Sequence, residues 1–197
     1  MGIFSIQIVP DLGCKRKIRS LMKYYSKKLN KHEALIDRAH FTIITSFKTN
    51  KIDNLINDIK NLKLNKFKDK INGPFLFGNS FLYLKPVDDS KMGNIHNQII
   101  ELLPKYRIKW VHEGFQNIKV STKKRKYLAK YGDIFCKEFF MPHLTLCGFN
   151  FQKNVSKKSR SLFNKKIEFK ILVNKLLVLK KKKNKWMNYA TIHLNDN

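Results

Sequence analysis

Two segments of this chain, His40-Phe41-Thr42-Ile43-Ile44 and His143-Leu144-Thr145-Leu146, carry the same order of histidine, apolar residue, threonine, apolar residue. In an extended strand, residues i and i+2 share a face. Each segment then presents an imidazole and a hydroxyl side by side. Phe41 and Ile43, like Leu144 and Leu146, turn the other way into packing. With six histidines and sixteen serines plus threonines in 197 residues, chance supplies roughly half of one His-x-Ser/Thr triplet. Two occur, one in each half of the chain, 103 positions apart. A fold that uses both must bring two sequence-distant β-strands to one place.

The rest of the pattern mixes strands and helices. Phe4 to Val9 reads as a strand closed by Pro10, and Cys14 to Lys31 as a helix with Ile18, Leu21, Met22, Tyr25 and Leu29 on one face. His40 to Phe47 is a strand and Ile52 to Leu62 a helix. Phe67 to Ile71 and Phe75 to Pro86 read as strands about a turn at Asn72-Gly73-Pro74, with a further break near Gly78-Asn79. Met92 to Leu103 is helical up to Pro104. Gly114 to Val120 reads as a strand, Thr122 to Tyr131 as a basic helix stopped by Gly132, and Phe139 to Phe149 as a strand interrupted by Pro142. Lys166 to Leu179 has strand character, Lys180 to Lys185 reads as a turn, and Trp186 to Leu194 as the last strand. Strict βαβ alternation is missing, so the fold class is α+β.

The two motif strands carry chemistry that suits a phosphodiester. Its cleavage needs a base to activate the attacking hydroxyl or water and an acid to protonate the leaving oxygen. Histidine does either near neutral pH. Threonine hydroxyls can donate to the non-bridging oxygens and hold the phosphorus in line. Such a site calls for no metal and no cofactor. The sequence also lacks the GxxxxGK[ST] and GxGxxG phosphate loops and lacks paired carboxylates at metal-ligand spacing. Cys14, Cys136 and Cys147 are odd in number and have no CxxC spacing, which argues for reduced thiols.

At these residues the sequence resembles the 2H phosphoesterase superfamily. That group includes bacterial RNA 2′,5′-ligase-like proteins, cyclic phosphodiesterases, 2′,5′-oligoadenylate phosphodiesterases and the U6 RNA-processing exonuclease. The first strand near Phe4, the helix after it, Pro142 just before His143, and a closing strand with Trp186 also look like the family pattern. The resemblance implies one bilobal, pseudo-twofold domain over residues 1–197, with two antiparallel sheets around a central cleft and helices outside. It implies that His40, Thr42, His143 and Thr145 are the catalytic set. The implied activity is metal-independent cleavage of RNA ends, 2′,5′-linked oligonucleotides or cyclic phosphodiesters such as cyclic nucleotides. A competing reading keeps the fold as a non-catalytic RNA- or nucleotide-binding module, which would bind without turnover.

Charge adds modest support for a nucleic-acid substrate. Lys and Arg outnumber Asp and Glu by 41 to 14, for a net charge of +27, and phosphates reward such an excess by releasing counterions. Yet 35 of the 41 are lysine, and asparagine occurs 19 times, a bias that an AT-rich genome produces by itself. Tyr83 and Tyr189 are candidates for stacking on a base, and Lys123, Lys124 and Arg125 for guiding a phosphate chain. Trp186 reads as packing. His32, His96, His112 and His193 lack the motif and read as surface or structural residues. No apolar run approaches a membrane span and no signal peptide is visible, so the expectation is a cytoplasmic monomer without a membrane partner.

Overall fold

The structure is a computed structural model and describes residues 1–28, 39–77, 81–148, 166–183 and 185–196. Eight strands and four helices are seen among them: β1 Gly2–Ile8, α1 Leu12–Lys28, β2 Phe41–Thr49, α2 Ile52–Asn61, β3 Phe67–Phe77, β4 Phe81–Pro86, α3 Ser90–Tyr106, α4 Thr122–Tyr131, β5 Leu144–Gly148, β6 Ile167–Val173, β7 Lys175–Lys182 and β8 Lys185–His193. They form two antiparallel four-stranded sheets. The first has the order β2-β1-β7-β8 and the second β5-β4-β3-β6. The architecture is thus the expected α+β, bilobal and pseudo-twofold. Among the described strands, both motif strands, β2 and β5, lie at sheet edges and pair on one side only.

The helices interlock the lobes. Helix α1 follows a strand of the first sheet but packs on β5 in the second, whereas α3 follows a strand of the second sheet and packs on β2 in the first. The sequence dictates this through apolar stripes. Ile18, Met22 and Tyr25 are buried along α1, and Met92, Ile95, Ile99, Ile100 and Leu103 along α3. Burying one such side chain contributes about 1.5–3 kcal/mol. At its start, α1 is tied to the far sheet by polar bonds. The Asp11 carboxylate accepts from the Cys14 amide at 3.1 Å and from the Leu172 amide of β6 at 3.3 Å. The Cys14 thiol donates to the Lys170 carbonyl at 3.0 Å. Burial pushes the thiols of Cys14 and Cys147 up to about 11, so both stay protonated and inert at neutral pH.

Several boundaries differ from the sequence reading. The turn expected at Asn72-Gly73-Pro74 is a bulge inside a continuous β3, whose antiparallel pairing with β4 runs on to Phe77 and Phe81. A proline removes one ladder donor, which a bulge tolerates. Gly114 to Val120 forms no strand; a short 3-10 turn covers Glu113–Phe115, capped by the His112 side chain. Strand β5 begins only at Leu144, because Lys137–Phe139 forms another 3-10 turn. Pro104 sits within the last turn of α3 rather than ending it. The stretch from Lys166 breaks at Asn174 into two strands, and Lys180 to Lys182 continue β7. The expected helix residues 29–31, the Gly78-Asn79 break, Phe149 and His32 lie outside the described residues.

The β3 bulge depends on Gly73. Its φ is +145°, and a Cβ there would meet the Leu84 side chain at 2.9 Å and the Tyr83 carbonyl at 3.0 Å. We expect Gly73→Ala to lower unfolding stability by about 1–3 kcal/mol, the usual cost of such backbone strain. Equilibrium denaturation checks this, and an unchanged midpoint refutes it.

Candidate active site

The two motifs are built alike. His40 and His143 each occupy the position just before a strand begins, and Thr42 and Thr145 are the second residues of those strands. All four are half-buried, while Phe41 and Leu144 between them are completely buried. The period-two reading therefore holds for both segments.

Sequence reasoning missed what comes next. Thr42 pairs with Gln7 of β1, and the following register pair joins Ile44 to Ile6, leaving Ile43 as an extra residue. Thr145 pairs with Tyr83 of β4, and the following pair joins Cys147 to Leu82, leaving Leu146 as an extra residue. Each His-x-Thr is thus followed at once by a β-bulge. Bulges near sites bend the strand and re-aim the side chains beside them. The available signal was the apolar doublet after each threonine, Ile43-Ile44 and Leu146-Cys147, which breaks the alternation in the same place twice.

Cross-strand neighbours complete each side. Gln7 shares the face of Thr42 and is buried, and among the described residues its side-chain oxygen finds no hydrogen-bond partner. On the other sheet, the His143 imidazole is held in a definite orientation. Its Nδ1 lies 2.9 Å from the Met141 carbonyl. A carbonyl only accepts, so Nδ1 donates and Nε2 is left for chemistry. The ring stacks on Phe81 with centroids 5.4 Å apart and meets Tyr83 edge-on at 5.8 Å. Phe81 in turn stacks on Phe77 at 4.9 Å, and Tyr83 touches Phe75 at 5.7 Å. The β3–β4 hairpin thereby supplies an aromatic wall beside the second motif.

The remaining candidates are dispersed. Tyr83 lies beside His143, as described. Tyr189 is elsewhere: its hydroxyl donates to Asp53 at the start of α2 at 2.9 Å, and its ring meets Phe4 edge-on at 5.4 Å. Phe4 shares the face of Ile6 and Ile8, and Ile8 pairs with Phe41, so Tyr189 belongs to the face opposite Thr42. Lys123 pairs with Glu138. The Lys124 ammonium lies over the rings of Phe139 and Phe135, and Arg125 is exposed on α4. Trp186 is half-buried and His193 exposed, both on β8.

The segment between α4 and β5 is docked against α3 and β2. The Thr45 hydroxyl of β2 donates to the buried Asp133 carboxylate. Glu101 of α3 pairs with Lys137 at 2.5 Å and Lys130 at 3.1 Å and accepts from the Tyr131 hydroxyl at 2.8 Å. These bonds, Lys137 first, hold the Glu101 carboxyl down at about 2.

Solved structures share this fold, although no family model matches the chain and no curated protein matches it in sequence. Escherichia coli LigT complexed with 3′-AMP superimposes with a TM-score of 0.56 at 12% identity, covering 98% of this chain and 97% of that one. A crystal structure described as a phosphoesterase gives 0.61 at 11% identity, covering 98% and 99%. Usb1 from Kluyveromyces marxianus gives 0.50 at 11% identity, covering 98% of both chains. The chain has the fold of the 2H phosphoesterases. Among the described residues no helix is long and apolar enough to cross a membrane.

Glu101 makes the docking pH-dependent. A carboxyl depressed in the folded state stabilises fully above its unfolded value of 4.5, and that stability is lost as pH falls toward 2. Its side chain is 46% exposed, so solvent screening limits the effect to about 1 kcal/mol. Glu101→Gln should be less stable than wild type at pH 7 and equally stable near pH 2 in denaturant titrations. A gap that persists at pH 2 would contradict this.

Proposed function

We propose that the chain is a metal-independent phosphodiesterase in which His40 and His143 divide acid and base duty and Thr42 and Thr145 bind the phosphate. The observation that carries this reading is the duplication: two His-x-Thr-bulge units, one at an edge of each sheet, on a fold shared with phosphoesterases. One neutral and one protonated imidazole on either side of a phosphorus can move a proton from the nucleophile and deliver one to the leaving oxygen. Two other hydroxyls of β2 are committed elsewhere, Thr45 to Asp133 and Thr49 to the Tyr106 carbonyl.

The substrates of this reading are RNA ends, 2′,5′-linked oligonucleotides or cyclic phosphodiesters. Tyr83 and its aromatic neighbours would flank a base, since stacking accepts any base face. LigT has been crystallised with 3′-AMP and with ATP, which fits a nucleotide in a site of this fold. Acidic groups described here, including Glu101, Glu138, Asp58 and Glu168, already pair with lysines, so much of the basic excess remains available to a polyanion.

A substrate panel tests the reading: 2′,3′-cyclic nucleotides, 2′,5′-oligoadenylate, cyclic oligonucleotides and 3′-tailed RNA, each with product analysis. Cleavage of at least one is expected to persist in EDTA, with a bell-shaped pH profile. His40→Ala and His143→Ala should each lower kcat at least about 100-fold while the chain stays folded. Wild-type rates in both variants, or salt-sensitive binding without turnover of any substrate, would defeat it.

A further inference from the structure

His96, a histidine outside both motifs, sits between them. It lies on α3, is 1% exposed, and has both ring nitrogens engaged. Its Nδ1 donates to the Ile43 carbonyl at 2.7 Å, and its Nε2 accepts the Lys137 amide at 3.3 Å. Those partners require the neutral ring with its proton on Nδ1. Ile43 is the extra residue of the bulge that follows Thr42. Lys137 opens the 3-10 turn that leads through Pro142 to His143, and its φ of +57° is a strained value for a residue with a side chain. Phe140, three residues before His143, stacks on the same imidazole at 4.0 Å and 8°.

We propose that His96 is a positioning residue that sets the first motif and the approach to the second against one another. The proposal builds on the function above, because it assigns the two motifs to one reaction. Its physical content is separate. One rigid ring fixes a bulge carbonyl in the first sheet and a strained amide ahead of the second, so motion of either segment must break a bond that the other shares. The Thr45–Asp133 bond anchors the same segment to β2, but nearer α4.

The tether holds only while the ring is neutral. A second proton, on Nε2, would face the Lys137 N–H donor to donor. Burial keeps the imidazole below the usual 6.5; the nearby Asp133 carboxylate opposes that shift and the Lys137 ammonium reinforces it. The Ile43 carbonyl on β2 also favours the charged form, and the Glu101 carboxylate on α3 is bonded to Lys137. The unfolded chain takes up a proton at His96 near pH 6.5 and the folded chain does not. The stability this residue contributes is therefore complete above pH 6.5 and falls as pH drops toward the lower folded value.

Three variants separate the arms. His96→Asn keeps a donor near the Nδ1 position, His96→Gln keeps an acceptor near the Nε2 position, and His96→Leu keeps neither. On a substrate cleaved by wild type, His96→Leu should lower kcat at least 10-fold with KM changed less than 3-fold, and the other two should fall between. Amide hydrogen exchange of the full chain should show protection lost at both Ile44 and Thr45 and at both Phe139 and Phe140. The acid-side loss of stability below pH 6.5 should flatten in all three. Exchange that changes in only one segment overturns the proposal, as does an unchanged kcat in folded His96→Leu. The exchange measurement needs no substrate, so it decides the tether even where the panel above shows no turnover.

Discussion

The reciprocal burial of α1 on β5 and α3 on β2 is the constraint on which the rest of this structure depends. Each motif strand lies at the edge of its sheet, where the described strands give it a ladder partner on one side only. A helix contributed by the opposite lobe covers the apolar face of each. Phe41 and Leu144 are completely buried as a result, and the residues on either side of them are forced to the other face. The side-chain order His-x-Thr becomes a geometric order because the residue between cannot leave its hydrophobic seat.

That burial alone fixes the face, not the fine aim. The bulges after Thr42 and Thr145 supply the aim, each by inserting one unpaired residue at the same point of the motif. The two sides then diverge in how they are secured. The second motif is held by its own neighbours: the Met141 carbonyl on Nδ1 of His143 and the Phe81 ring on its face. The first is secured through α3, where His96 takes the carbonyl of the bulge residue. The pseudo-symmetry is thus one of strands and bulges.

Much of this was legible in the sequence. The motif strands, the amphipathic helices and the α+β class follow from periods of two and three to four, which report directly on burial. Helix α4 agrees with its expected limits because Ser121 caps one end and left-handed Gly132 the other. What failed was punctuation whose meaning depends on partners. Asn72-Gly73-Pro74 is strong turn chemistry, yet pairing with β4 and β6 on both sides kept the strand going and turned the break into a bulge. Tyr189 was a stacking candidate as an aromatic residue of the last strand, and its face follows a register shift between Val178 and Leu179 that no local pattern reveals. His96 carried no motif, and its role arises from three segments meeting at one ring.

The bulge in β3 also has an arithmetic consequence. Before it, Ile71 pairs with Pro86 and both are buried; after it, Phe75 pairs with Tyr83 and Phe77 with Phe81. Odd-numbered residues therefore point inward on one side of Gly73-Pro74 and toward the aromatic wall on the other. The extra residue works like a frameshift in space. A strand that kept every residue but lost the bulge would alternate simply and send Phe75 and Phe77 to the face of Ile71, dismantling the wall beside His143 without altering any residue of the motif itself. In chains of this design, the spacing of residues at that bulge is as much part of the site as the histidines.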